Sequence, residues 1–441
     1  MSRRPIGIDL FAGAGGMSLG VEQAGFDVRA ALEIDPIHCA THAYNFPDAT
    51  IVCADAAEVT GNDLRRAAGA LSEEVDLLFG GPPCQGFSFM GKRALDDPRN
   101  ALVREFVRLV REIQPAAFIF ENVPGLASGA HRAFLSELIE AFEQAGYRMP
   151  MPYRVLDSAF FGVPQRRRRL ILLGTRRDLP ATRYPEPTCV PADIVRKSAV
   201  LDLSRGPTVW EAIGDLPEVD DFPELSKRDW IEVSLGKPLS EYAMLLRGEL
   251  DDPDDLSYRR LGAKKLTGLK RAEHTALSRQ RFSQAAHGST EPVSHFKKLD
   301  PQGLCNTLRA GTARNRGAFT SPRPIHPFTA RCITVREAAR LHSFPDWFSF
   351  HSTVWHGFRQ IGNSVPPLLA REVAKQVRVD LGLASVHPAR YVELGDCSAL
   401  GVSMTKAARH FMVSPDVIPQ RVRGIEVRPT SSPPSRIEEV G

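Results

Sequence analysis

Between residues 6 and 174, short apolar runs alternate with amphipathic helical patterns, and this alternation constrains the fold more than any other feature of the chain. Residues 6–11 read as a buried strand that ends in a Gly-rich turn, followed by a helix over 17–24 and a second strand over 28–34. Residues 75–80, 116–120 and 170–174 read as further strands, with helical patterns over 101–113 and 133–145 between them. Strands that alternate with helices imply an α/β fold built on a doubly wound, mostly parallel sheet. Such sheets carry ligand sites at the carboxyl ends of their strands.

From about residue 175 the pattern fades, and Pro, Asp and basic residues become frequent up to about Pro327. Order returns after Cys332, with helical patterns over 334–342 and 368–377. The expected organisation is a sheet domain over 1–175, an inserted smaller domain over 176–330, a return to the first domain over 331–385, and an extension of unknown role over 386–441. A chain of 441 residues is long enough for two domains. Its 43% apolar and 24% charged residues are those of a soluble globular protein. No apolar run approaches the ~20 residues needed to cross a bilayer. Residues 1–5 lead straight into a strand pattern, which leaves no room for a secretory segment, so a cytoplasmic protein is expected. Net charge is only +4 but unevenly spread: from Arg259 to Arg331 fifteen Lys and Arg face only Glu273, Glu291 and Asp300. The stretch before them, 211–255, is acidic. A basic segment of this kind is the footprint of a polyanion partner.

The seven cysteines are scattered, odd in number and without a CxxC pair, which argues against zinc and against a disulfide framework, and no metal site is expected. Most suit small buried apolar positions. Cys84 differs. It lies in Gly81-Pro82-Pro83-Cys84-Gln85-Gly86-Phe87-Ser88, after a buried strand and on a turn stiffened by two prolines. That places a thiol at the carboxyl edge of the sheet, where its thiolate form can act as a nucleophile.

Three further runs fall on the same edge. Asp9-Leu10-Phe11-Ala12-Gly13-Ala14-Gly15-Gly16 joins a strand to a helix, and its glycines permit a tight turn and close approach to a ligand. Ser18 stands where a dinucleotide fingerprint needs its third glycine, which argues against NAD and for another adenosine ligand. Glu33, at the end of the second strand, suits ribose hydroxyls, and Asp55 suits an adenine amino group. Glu121-Asn122-Val123 brings a carboxyl group that can bond a pyrimidine ring nitrogen and its amino group. Gln165-Arg166-Arg167-Arg168-Arg169 precedes the last strand; alternation sets Arg167 and Arg169 on one side and Arg166 and Arg168 on the other. One pair can face the site while the other meets phosphate or solvent.

Taken in order, these runs resemble the DNA (cytosine-5) methyltransferases, of the bacterial restriction-modification type. The match takes in Asp9 to Gly20, Glu33, Asp55, the Pro-Pro-Cys-Gln-Gly-Phe-Ser run, Glu121 to Val123, Gln165 to Arg169, Arg331 to Phe348, and Gln360-Ile361-Gly362-Asn363-Ser364-Val365-Pro366-Pro367. The resemblance implies the S-adenosylmethionine-dependent, Rossmann-like methyltransferase fold with an inserted DNA-recognition domain. It implies that a cytosine is flipped from the duplex, that Cys84 adds to ring carbon 6, and that Glu121 stabilises the adduct. Carbon 5 then takes the methyl group of S-adenosyl-L-methionine. By the same resemblance Arg167 and Arg169 orient the pyrimidine. Phe11, Gly13, Gly15, Gly16, Glu33, Asp55, Pro82, Asn363 and Ser364 line the cofactor pocket. Double-stranded DNA is the implied partner. Gln85, Ser88, Arg309, Thr312, Arg314, Asn315 and Arg316 are candidate DNA contacts, since Arg can bond guanine and Asn adenine. A restriction endonuclease acting on the same site, without a stable complex, and a monomeric state are expected.

Two other readings of the core are a tRNA cytosine-5 methyltransferase and an inactive DNA-binding relative. The first lacks its Cys-Phe-Thr run here, and the intact Cys84, Glu121 and arginine run oppose the second. In the extension, residues 404–423 have a helix-turn-helix flavour, but Pro419 opposes a recognition helix, and a small helical appendage packed on the core is expected.

Overall fold

The computed structural model describes residues 3–83, 100–129, 132–194, 203–259, 265–311 and 323–418. Strands β1 (Ile6–Leu10), β2 (Asp27–Glu33), β3 (Thr50–Cys53), β4 (Leu77–Gly80) and β5 (Ala117–Asn122) run parallel in the order β3-β2-β1-β4-β5. Beyond β5 lies β8 (Arg168–Arg176), antiparallel to it, and β6 (Tyr147–Arg148) and β7 (Arg154–Asp157) both pair with β8. The order reverses between β1 and β4, the switch point at which ligands bind in such sheets. The strands are apolar on both faces because helices cover both.

On one face lie α3 (Gly61–Ala67), α4 (Ala101–Ile113) and α5 (Arg132–Gln144). α4 buries Val103, Phe106, Val107, Val110 and Ile113, the spacing of one helical stripe. Phe106, Phe118, Phe120 and Phe142 form the aromatic centre of this layer, with the Phe118 and Phe142 rings 4.3 Å apart. The other face takes α1 (Gly16–Gln23), which buries every residue, while α2 (Pro36–Asn45) starts at the end of β2. Asp35 accepts from Ile37 N at 3.0 Å and Pro36 occupies the first turn, so α2 starts where β2 ends. α2 and the four-residue β3 are missing from the sequence-derived pattern. α2 is buried on nearly every side and shows no polar stripe, and β3 is too short to display a period.

Among the described residues between β8 and residue 334 regular structure is sparse: α6 (Val209–Ile213), β9 (Ile231–Glu232), α7 (Glu241–Arg247), β10 (Lys265–Leu266) and α8 (Ala276–Gln284). Val219, Leu225, Ile231, Leu266 and Leu269 make a small core of their own. α9 (Val335–Leu341) and α10 (Val354–Asn363) join this region to the sheet, and α11 (Pro367–Asp380) seats Leu369, Val373 and Val377 in the same apolar layer as Val21, Phe79 and Ile119. In the extension, Gly395 N donates to Tyr44 O, Ser352 N to Leu400 O, and α12 (Met404–His410) packs against α2 with Ala407 and Ala408 buried.

Candidate active site

The parallel strands deliver four loops to one edge. Leu10 lies opposite both Leu32 and Gly80, and Gly80 lies opposite Phe120. The chain therefore leaves β1, β2, β4 and β5 side by side, at the ~4.8 Å spacing of neighbouring strands.

At the end of β1, Phe11, Gly13 and Gly15 all take left-handed backbone angles, with φ of 59°, 57° and 95°. The turn this makes presents Gly13 N to Glu33 Oε2 at 2.8 Å, while Glu33 Oε1 accepts from Asp35 N at 2.9 Å. A side chain at Gly13 would meet nothing, so the turn is open there; one at Gly15 would overlap the Phe46 ring. Ser18 has a structural explanation: its hydroxyl donates to the buried Asp9 carboxylate at 2.5 Å, tying α1 to β1 where a glycine could not. Burial pushes the Asp9 carboxyl well above the ordinary range. Asp55, half-buried just past β3, accepts from Ala57 N at 3.0 Å. Phe11, Gly13, Glu33 and Asp55 thus stand on consecutive strand ends. Ser364 reaches this loop from α10: its Cβ and the Val365 carbonyl stand where a side chain on Gly16 would go. Its hydroxyl, however, donates to Gln360 O at 2.7 Å, so what Ser364 contributes here is packing. Asn363 beside it is exposed.

At the ends of β4 and β5 a second group forms. Glu121 Oε1 pairs with Arg169 Nε at 2.6 Å, each side chain 13% exposed. A Cβ on Gly81 would overlap Glu121 Oε2, so a side chain there would push the carboxylate out of this position. Asn122, which the sequence gave no separate role, is buried and donates from Nδ2 to Pro82 O at 3.1 Å, pinning the Pro82-Pro83 turn. Cys84, Gln85 and Ser88 follow that turn and lie outside the described residues, as do Thr312, Arg314, Asn315 and Arg316.

Arg169 reaches this edge because β8 runs antiparallel. A residue that starts a parallel strand would sit at the opposite edge; in β8, Leu170 lies opposite Asn122, so the arginine run before it emerges beside Glu121. Of that run, Arg168 is exposed and Arg166 pairs with Asp157 at 3.0 Å and Asp193 at 2.6 Å.

Arg167, expected to orient the pyrimidine together with Arg169, is 1% exposed and donates from its two terminal nitrogens to Leu308 O and Gly362 O, both at 2.9 Å. Its guanidinium grips two main chains, and the alternation that pairs it with Arg169 did not reveal this. Next to it Gln165, fully buried, accepts from Leu308 N at 3.1 Å and donates to Leu341 O at 3.1 Å, with His342 Nδ1 3.0 Å away. His342 Nε2 lies 3.0 Å from Ser364 O. Burial, reinforced by Arg167, pushes His342 well below the ordinary imidazole range, so the ring is neutral, with Nδ1 accepting and Nε2 donating. Arg309, the described member of the candidate DNA contacts in the inserted region, is exposed just beyond Leu308. Among the described residues no group of His, Cys, Asp and Glu could hold a metal ion.

A family model described as C-5 cytosine-specific DNA methylase matches residues 7–378. The chain is 57% identical over 437 residues to the type II methyltransferase M.XorII of Xanthomonas oryzae, covering 99% of this chain and 98% of the relative. It is 33% identical to the type II methyltransferase M.AgeI of Thalassovita gelatinovora, covering 84% of this chain and 99% of that one. Among solved structures, an E. coli protein described as a prophage-encoded DNA modification methyltransferase superposes with a TM-score of 0.69 at 32% identity, covering 86% of this chain and 99% of that one.

Proposed function

Because the chain belongs to the C-5 cytosine-specific DNA methylases and so methylates carbon 5 of cytosine in DNA, we propose that Cys84, Glu121 and Arg169 carry the reaction and that S-adenosyl-L-methionine is the methyl donor. The observation that carries this reading is the Glu121–Arg169 pair, set at the carboxyl edge beside the pinned Pro82 turn that leads into Cys84.

The donor set fits the cofactor. The loop from Phe11 to Gly16 has no Lys or Arg, and Glu33 and Asp55 add carboxylates at the next two strand ends. Carboxylates and glycine backbone suit neutral ribose hydroxyls and an adenine amino group, and would repel a pyrophosphate. When bound, S-adenosyl-L-methionine supplies an electrophilic methyl group. Phe11, Gly13, Gly15, Gly16, Glu33 and Asp55 would hold it, with Pro82 and Asn363 at the rim and Ser364 packing the turn from behind.

Chemistry at the ring belongs to the protein. Carbon 6 of cytosine accepts a nucleophile only when electron density is drawn toward ring nitrogen 3. Glu121, oriented by Arg169, holds a proton at that nitrogen and accepts from the exocyclic amino group. The Cys84 thiolate then adds to carbon 6, which makes carbon 5 nucleophilic; after methyl transfer a base removes the carbon 5 proton and the thiolate leaves. The flipped base comes from duplex DNA held against the region 176–330, to which Arg309 and the basic run contribute. The setting we propose is cytoplasmic, as a monomeric modification enzyme that protects a short site from a separate restriction endonuclease.

Bisulfite sequencing of DNA from cells expressing the protein should reveal one short sequence with a protected cytosine. Cys84→Ala should abolish methyl transfer while DNA binding persists. Label transferred from the methyl donor to tRNA and not to DNA would overturn the substrate, and turnover by Cys84→Ala would overturn the nucleophile.

A further inference from the structure

Leu308 lies at the mouth of the candidate DNA-reading loop, and Gly362 lies one residue before Asn363 and two before the Ser364 that packs on the cofactor turn. The two are 54 residues apart in sequence (362 minus 308), yet one side chain holds both. Arg167 donates to each carbonyl at 2.9 Å. Main chain meets main chain directly at the same point: a Cβ on Gly362 would overlap Ala310 N and the Arg309 carbonyl carbon. The approach is fixed on both sides. Residues 305–308 lie along the arginine run, with Cys305 N donating to Pro164 O at 2.9 Å, Arg166 N to Cys305 O at 2.9 Å, and Thr307 Oγ1 to Arg166 O at 2.7 Å. From the other side Gln165 holds Leu308 N and contacts His342, and His342 donates to Ser364 O.

Every polar link in this chain is buried or half-buried, and each connects to the next within hydrogen-bond distance. The Arg309 main chain is thereby in contact with the end of α10 through Arg167 and Gly362, and Ser364 two residues on packs against Gly16. A contiguous network of packed, hydrogen-bonded contacts is a physical route along which coupling between two sites can travel, and a measured coupling is what establishes it.

We infer that Arg167, supported by Gln165 and His342, is a positioning residue that couples the DNA-reading segment at Leu308–Ala310 to the methyl-donor pocket, so that duplex DNA and the methyl donor bind with positive cooperativity. This rests on the functional reading above. It assigns Arg167 to neither substrate: the residue touches only protein, and its effect is on how the binding of one substrate alters the binding of the other.

The test measures the affinity of the full-length protein for S-adenosylhomocysteine by titration calorimetry, with and without the duplex identified by bisulfite sequencing. Coupling is expected at about tenfold, within the usual range for linked sites. Arg167→Lys keeps a hydrogen-bonding nitrogen but loses the planar fork that spans two carbonyls, and should reduce the factor to about threefold or less while leaving DNA-free affinity within about twofold. Thr307→Val loosens the same segment at a half-buried position and should lower the coupling in the same direction. It decides the matter by itself where Arg167→Lys does not fold. Full coupling in the folded variants, a wild-type factor near one, or equal loss of affinity with and without DNA would each overturn the inference. The functional reading fails separately, when bisulfite sequencing finds no methylated site.

Discussion

Glu121 arrives at the sheet edge with its orientation already set. Arg169 holds one carboxylate oxygen at 2.6 Å, and the absence of a side chain at Gly81 makes room for the other. If Glu121 holds the proton at ring nitrogen 3 as proposed, Glu121→Gln keeps the shape but not that function, and should lower kcat by about 10²- to 10⁴-fold, measured by transfer of labelled methyl to DNA. Gly81→Ala should act through the same group from the opposite side. The new Cβ displaces the carboxylate from Arg169, and misplacement on this scale should reduce kcat about 10²-fold with little change in the thermal unfolding midpoint. At this scale the proximity of groups set in unusual local sequence was legible: Glu121 and Arg169 stand together, and the glycine turn stands by Glu33. Residues that act through distant main chain were not. Asn122 and Gln165 appear in the sequence as neighbours of more conspicuous side chains; their partners, Pro82 O and Leu308 N, are set by tertiary contact. The same holds for Arg167, whose carbonyl partners lie 141 and 195 positions away.

Among the elements, strands and helices with a clear period were legible almost to their ends. α4, expected over 101–113, spans Ala101–Ile113, and α5, expected over 133–145, spans Arg132–Gln144. Strand direction was not legible, because direction belongs to pairing and leaves no mark on composition. For β8 it matters most, since the antiparallel pairing with β5 brings the arginine run to the edge that carries Glu121. The seating of α11 on α1 is likewise a matter of long-range fit. A Cβ on Gly20 would stand 2.6 Å from Ala370 Cβ and from Arg371 N. Gly20→Ala should therefore destabilise by about 1–3 kcal/mol despite its better helix propensity, read as a lower thermal midpoint with parallel loss of activity. A midpoint at or above wild type would mean that α11 is seated less closely.

Across the whole molecule, buried ion pairs join the inserted region to the returning chain. Arg331 bonds Glu337 Oε1 at 2.8 Å and Oε2 at 2.9 Å, and bonds Glu218 at 2.8 Å. Burial would raise the Glu337 carboxyl, but Arg331 and His326 outweigh it and hold the group at about 2, below its ordinary 4.5. A carboxyl depressed on folding stabilises the protein fully above its unfolded value, and that contribution is lost as pH falls from about 4.5 toward 2. Acid unfolding followed by circular dichroism should be steep in that window, and shallower in Glu337→Gln. That variant should also lose about 3–5 kcal/mol at neutral pH, because Arg331 is left buried with half its partners gone. The seating of α11 on α1 has a further consequence during synthesis. At about 5–20 residues per second, some tens of seconds separate the appearance of Gly20 at the ribosome from that of its partner Ala370. Throughout that interval the nascent sheet has one unfinished face, and Arg309 and Ala310 emerge before Gly362, the residue they pack against. A chain that stops before α11 leaves Val21, Phe79 and Ile119 without the apolar cover that Leu369, Val373 and Val377 provide.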